Sequence, residues 1–142
     1  MNINPIKEVT PEIVNAIKNL ITILAEPRCE ITAQSLNKLI EDEESELIVA
    51  KDEHNNIVGF LCLIIYTIPS TKKAFIEDVV VSESVRGQGY GKALVSKAID
   101  LAQIKGAKYV DLSSNSKRIA ANALYQKMGF IKRDTNYYRL LF

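Results

Sequence analysis

Residues 57–68 (IVGFLCLIIYTI) leave little freedom in how this chain folds. The stretch is rich in β-branched and aromatic residues, follows the turn chemistry of Asp52-Glu53-His54-Asn55-Asn56, and is closed by Pro69. It reads as the second strand of a hairpin, buried over most of its length, with residues 46–50 as the first strand. Its apolar run stops far short of the roughly 20 residues that a membrane-crossing helix needs. A third strand follows at residues 74–82.

Helical periods flank this β-rich middle. Ile13, Ile17, Leu20, Ile21 and Leu24 recur at helical spacing over residues 11–25, with Thr10 as cap, Pro11 in the first turn and Pro27 as the stop. Thr32 caps a shorter helix carrying Leu36, Leu39 and Ile40. Residues 3–9 form a short leading strand. Past residue 91, Leu94, Ala98, Leu101 and Ala102 mark a helix that Gly106 ends. Residues 109–113 are a strand. Ile119, Ala120, Ala123, Leu124 and Met128 mark a last helix, terminated by Gly129. Residues 130–133 and 137–142 are expected to close the sheet as strands. The plan is α+β: a sheet mostly antiparallel early, with one parallel crossover late.

Composition sets the outer bounds. A chain of 142 residues suggests one domain, residues 1–142. With 47% apolar and 25% charged residues it is no disordered tail. Eighteen Lys and Arg against 17 Asp and Glu give a net charge of +1, so no nucleic-acid partner is expected. Cys29 and Cys62 are too few for a disulfide framework, and the single His54 gives a metal almost nothing to bind. The start, Met1-Asn2-Ile3-Asn4-Pro5, has no signal-peptide pattern. The expectation is a cytoplasmic, reduced domain with no metal and no membrane contact.

The chemistry concentrates in residues 76–92, IEDVVVSESVRGQGYGK. A β-branched strand ends, Arg86-Gly87-Gln88-Gly89-Tyr90-Gly91 follows, and a helix begins. Three glycines in five residues serve neither helix nor strand propensity. They let successive backbone N–H groups point into one concave space, to which the helix start adds its positive end. Arg86 and Lys92 flank that space with full charges. The pattern suits a phosphate. It is one residue short of a Walker loop, and Ala93 stands where a magnesium-holding hydroxyl is needed. It also departs from a dinucleotide fingerprint, because the spacing is G-x-G-x-G and Asp111 sits inside a strand.

Together these residues resemble the GNAT superfamily of N-acetyltransferases, which use acetyl-coenzyme A. Arg86-Gly87-Gln88-Gly89-Tyr90-Gly91 fits that family's Gln/Arg-x-x-Gly-x-Gly/Ala signature. Residues 76–81 look like its preceding strand, and Asn122-Ala123-Leu124-Tyr125-Gln126-Lys127-Met128-Gly129-Phe130 is similar to its second landmark. The resemblance implies a mixed, mostly antiparallel central sheet with two splayed parallel strands and flanking helices. It implies that the pyrophosphate of acetyl-coenzyme A rests on Arg86, Gly87, Gln88, Gly89, Tyr90, Gly91 and Lys92. It implies that the pantetheine arm pairs with the backbone of Val79, Val80 and Val81, with an amide near Val81 as oxyanion donor. Asn122 and Asn115 are cofactor contacts by the same likeness. Tyr125 is the acid for the departing thiolate, and a core residue on the structural alternative.

The resemblance further implies that the acceptor is an amine on a small molecule or peptide, deprotonated by Glu77 directly or through water, with Asp78 second, the alternative being a carboxylate held in a salt bridge or hydrogen bond. Strand alternation sets Glu77 and Asp78 on opposite faces unless a bulge intervenes. The acidic run Glu41-Asp42-Glu43-Glu44, with Glu46, is either a solvated helix end or an attractant for a cationic acceptor. Tyr137, Tyr138 and Arg139 line the acceptor pocket or a subunit contact, and a homodimer stays open. Two rival functions keep the same loop: a non-catalytic acyl-coenzyme A sensor, and a nucleotide-binding module.

Overall fold

The computed structural model describes residues 1–24 and 29–142. It begins with a strand, β1 (Asn2–Pro5), shorter than the 3–9 expected because residues beyond Pro5 leave the sheet for a helix. Helix α1 (Pro11–Ile21) starts where Thr10 accepts a hydrogen bond from the Ile13 amide at 3.3 Å, with Pro11 in its first turn. It is shorter than the 11–25 expected, residues 22–24 being a turn. Pro27, the expected stop, lies outside the described residues. Helix α2 (Ala33–Glu41) is opened by a reciprocal capping box between Thr32 and Ser35.

Strands β2 (Ser45–Lys51), β3 (Ile57–Ile68) and β4 (Thr71–Val81) follow as a meander. A short 3-10 turn, Glu83–Val85, and the glycine segment lead into helix α3 (Tyr90–Ile104). Strand β5 (Val110–Leu112) and helix α4 (Ile119–Lys127) complete the regular structure. The sheet runs β1-β2-β3-β4-β5, antiparallel except for the parallel β4–β5 pair. This is the expected α+β plan.

Two cores sandwich the sheet. On one side Ile13, Val14, Ile17, Leu20 and Leu36 of the first two helices pack on Leu47, Val49, Phe60 and Val80. On the other, Leu94, Val95, Ala98 and Ala102 of α3 and Tyr125 of α4 pack on Ile48, Leu61, Leu63, Ile65 and Ile76. That double cover explains why β3 is apolar almost throughout. An ion pair pins α3 to the start of β2: Lys105 Nζ lies 2.9 Å from a Glu46 carboxylate oxygen, and Glu46 is buried. Among the described residues, no helix is long and apolar enough to cross a membrane.

The expected closing strands are absent. Residues 130–142 form no regular structure, and residues 131–142 are exposed. The physical reason is that β5 has only three residues and offers no ladder that the tail reaches in this structure.

Candidate active site

The site is built by a defect in β4. Phe60 faces Val80, yet Cys62 faces Glu77, so β4 carries one residue more than β3 across this interval. That is a β-bulge. Its signature is Asp78 at φ 52°, in the left-handed region. The bulge reverses the inward alternation: Ile76 joins the core under α3, whereas Val80, four residues on, joins the core under α1. Glu77 and Asp78 therefore escape the opposite-face rule and line one cleft. Gly59 on β3 makes room for this path. A Cβ there would sit 2.8 Å from the Val80 carbonyl oxygen and 3.2 Å from Leu94 Cδ1.

Beyond Ile76 the parallel pair comes apart, since β4 and β5 share only the matches of Ala74, Phe75 and Ile76 with Val110, Asp111 and Leu112. A cleft of about 200 Å³ opens between them, lined by Glu77, Asp78, Val79, Ser113, Arg118 and Tyr125, among others. Burial and the neighbouring Asp78 charge push the Glu77 carboxyl above its usual range, while Arg139 pulls the other way. Burial also raises Asp78. Tyr125 is buried, with its ring edge-on to Phe130 at 6.0 Å between centroids. Burial raises its phenol, and the Arg118 charge opposes that rise.

The glycine segment brings its expected residues together at the mouth of α3. Gly87 and Gly89 hold φ of 77° and 86°, a backbone that residues with a Cβ adopt only at a cost. No side chain caps α3. The amides of Tyr90, Gly91 and Lys92, in its first turn, have no backbone partner among the described residues. Two amides of the expected set are already engaged: Arg86 donates to the Glu83 carbonyl and Gln88 to the Val85 carbonyl, both at 3.3 Å. The Arg86 guanidinium pairs with Glu83 at 3.1 Å. Tyr90 is buried, so its side chain serves the core. Lys92 is exposed.

Asn115 and Asn122 meet, but chiefly in each other's service. Asn122 Nδ2 donates to the Asn115 carbonyl at 2.9 Å and to the Arg118 carbonyl at 3.0 Å. Asn115 Oδ1 accepts from the Lys117 amide at 2.9 Å. The pair shapes the turn into α4, and thereby the seat of Tyr125. Arg118 is the residue that sequence reading missed. Its Nη2 donates to the Val79 carbonyl at 3.3 Å, bridging β4 and the start of α4. A basic residue just before a helix carries no motif of its own, so only the fold reveals it.

The acidic run is structural where the structure defines it: Glu46 pairs with Lys105 and Glu44 with Lys72. His54 sits exposed beside Glu53. Cys62 is buried, and its thiol is pushed up to about 12 by burial and by the Asp78 and Glu77 charges.

Comparison with known proteins settles the family. The description of the Acetyltransferase (GNAT) family matches residues 14–130. This chain belongs to the GNAT family of acetyltransferases. A mycothiol acetyltransferase of Renibacterium salmoninarum is 32% identical over 112 residues, covering 75% of this chain and 33% of that protein. The uncharacterized N-acetyltransferase YhdJ of Bacillus subtilis is 33% identical over 114 residues, covering 76% of this chain and 80% of its own. The chain thus spans about a third of the first relative and four fifths of the second. In structure, this GNAT domain superposes on a putative acetyltransferase from Agrobacterium tumefaciens with a TM-score of 0.84 and 24% identity, over 99% of this chain and 100% of the other. That likeness speaks for the fold.

Proposed function

We propose that this GNAT protein moves an acetyl group from acetyl-coenzyme A to a primary amine by direct attack in a ternary complex. One observation carries the reading: the bulge at Asp78 puts Glu77 and Tyr125 in one cleft, beside a strand edge released from its neighbour. The unsatisfied first-turn amides of α3 and the charge of Lys92 suit the pyrophosphate. The freed backbone of Val79, Val80 and Val81 suits the amide-bearing arm of the cosubstrate, as an added strand would. Arg118 then yields the Val79 carbonyl to that arm.

The chemistry runs in three moves. An ammonium acceptor gives a proton to Glu77, directly or through water, and its lone pair is freed. The amine nitrogen bonds to the thioester carbonyl carbon, and a β4 amide near Val81 steadies the oxygen as it gains charge. The carbonyl re-forms, the C–S bond breaks, the departing thiolate takes the Tyr125 proton, and the second proton of the amine nitrogen passes through water to the Tyr125 phenolate, leaving a neutral amide, free thiol and Tyr125 as it began. A raised carboxyl suits a base working near neutrality, and a raised phenol stays protonated until the thiolate needs it.

The test is release of free thiol from acetyl-coenzyme A across a panel of small amines, amino sugars, polyamines and peptide N-termini. Turnover on at least one amine supports the transferase. Tight binding of acetyl-coenzyme A with no turnover on any amine points to the acyl-coenzyme A sensor instead. Calorimetry showing preference for NAD or ATP over coenzyme A removes both readings.

A further inference from the structure

Part of one sheet face is left uncovered. Ala74 and Ile76 of β4 and Leu63 and Ile65 of β3 pack under α3, so the residues between them point to the opposite side. The strand register sets these in three rows. Glu77 faces Cys62, Phe75 faces Ile64 on one flank and Asp111 of β5 on the other, and Lys73 faces Tyr66. Tyr109 stands beside the last row, its carbonyl accepting from the Ala74 amide at 3.0 Å. On this side the core under α1 and α2 takes Phe60 and Val80. Among the described residues, neither core takes Ile64, Tyr66, Phe75 or Tyr109. Contiguous aromatic surface of this kind marks a place of contact.

The strip runs outward from the cleft. Its inner end is Glu77, which lines the cleft together with Leu24 as an apolar wall. Its middle is Phe75 and Ile64, both partly exposed. Its outer end is a fixed cation. Lys73 Nζ lies 5.3 Å from the centre of the Tyr66 ring, 5.7 Å from that of Tyr109 and 3.5 Å from an Asp111 carboxylate oxygen. The Tyr66 hydroxyl raises the Lys73 ammonium above its usual range, and Tyr109 and Asp111 add to that against the effect of burial. At about 3.3 Å per residue, Phe75 lies about 7 Å from Glu77 and Lys73 about 13 Å.

A second ammonium has no seat along this strip. Asp111 is already turned to Lys73, and Lys73 holds the two tyrosine rings that would otherwise attract a cation. Arg139 adds positive charge within reach of Glu77. The hydroxyls of a sugar would give up water against Phe75 and Ile64, whereas an apolar body gains by the same burial. Resting on the transferase reading above, we infer that the acceptor is an apolar monoamine: its nitrogen meets Glu77, its body lies on Phe75 and Ile64, and its far end stops short of Lys73. A ring or chain about 7 Å long covers the middle row. Phe75 selects by contact, and Lys73 selects by repelling a second positive charge.

The experiment compares kcat/KM for phenethylamine, hexylamine, spermidine and glucosamine at saturating acetyl-coenzyme A. The two apolar monoamines should exceed the other two by at least about tenfold. Phe75→Ala should lower kcat/KM for phenethylamine roughly tenfold, chiefly through KM, because it removes contact made alike in ground and transition states. Lys73→Glu, at a partly exposed position, should raise kcat/KM for spermidine relative to that for phenethylamine by at least about tenfold. A preference for spermidine or glucosamine in the parent protein overturns this inference and leaves the transferase standing. So does a Lys73→Glu protein that keeps the parent ratio, or turnover confined to other amines. Turnover on no amine at all removes the transferase reading and this one together.

Discussion

Tyr125 and Glu77 owe their proposed roles to the same cleft, where burial raises both groups. Replacing Tyr125 by Phe removes one oxygen from a buried ring, so the fold should hold while kcat falls at least about tenfold, toward the 10²–10⁴ range of positioned acids. Steady-state kinetics with an acetyl-coenzyme A binding measurement alongside checks this. Glu77→Gln should remove the acid limb of the pH profile of kcat/KM, a limb lying above the ordinary Glu value because the carboxyl is raised. The same variant should be more heat-stable near neutrality. A carboxyl whose folded pKa exceeds its unfolded one favours the native state only while protonated, and that contribution is lost as pH rises through the folded value. The gain from Gln should accordingly vanish in acid, which melting curves at several pH values will show. Cys62, pushed up to about 12, should ignore thiol reagents in the native protein, whereas exposed Cys29 reacts. A count of one accessible thiol when folded and two when denatured is expected.

The bulged strand β4 is the element on which the site depends, and Gly59 is its silent support. Gly59→Ala should destabilise by about 1–3 kcal/mol, since the new methyl meets backbone oxygen that has nowhere to go. Urea denaturation measures the loss, and activity should fall with it as β4 shifts. This element also marks what was legible in advance. The strand at 57–68, the caps Thr10 and Thr32, and the glycine segment were readable because each depends on local chemistry alone. Glu77 and Tyr125 were candidates by resemblance, and the structure sets both along one cleft. The bulge was not, because the extra residue shows only when β3 and β4 are laid side by side, and Asp78 looks like any strand-end carboxylate. Arg118 and the Asn115–Asn122 clamp were hidden for the same reason. They matter through partners 39 and 7 residues away, beyond the reach of any local pattern. The closing strands were misjudged because strand-forming composition states a preference, and a preference becomes a strand only where an edge receives it.

At the scale of the molecule, the proposed function makes helix α3 and the parting of β4 from β5 one receptor, so occupancy should be felt globally. A cosubstrate that binds only the folded chain stabilises it by about 2.7 kcal/mol at a hundred times its Kd. Acetyl-coenzyme A should therefore raise Tm by several degrees in a thermal-shift assay, with NAD and ATP giving no comparable rise. The bulge imposes a further rule on how such a chain tolerates change. It fixes odd against even along β4, sending Ile76 to one core and Val80 to the other. Deleting a single residue between them would swap inside for outside over the end of β4, turning Val80 out of the core under α1. Lengthening the β3–β4 hairpin at Pro69-Ser70 leaves that parity untouched. An insertion at the tip of the hairpin should therefore leave the fold standing where a deletion beside Asp78 does not.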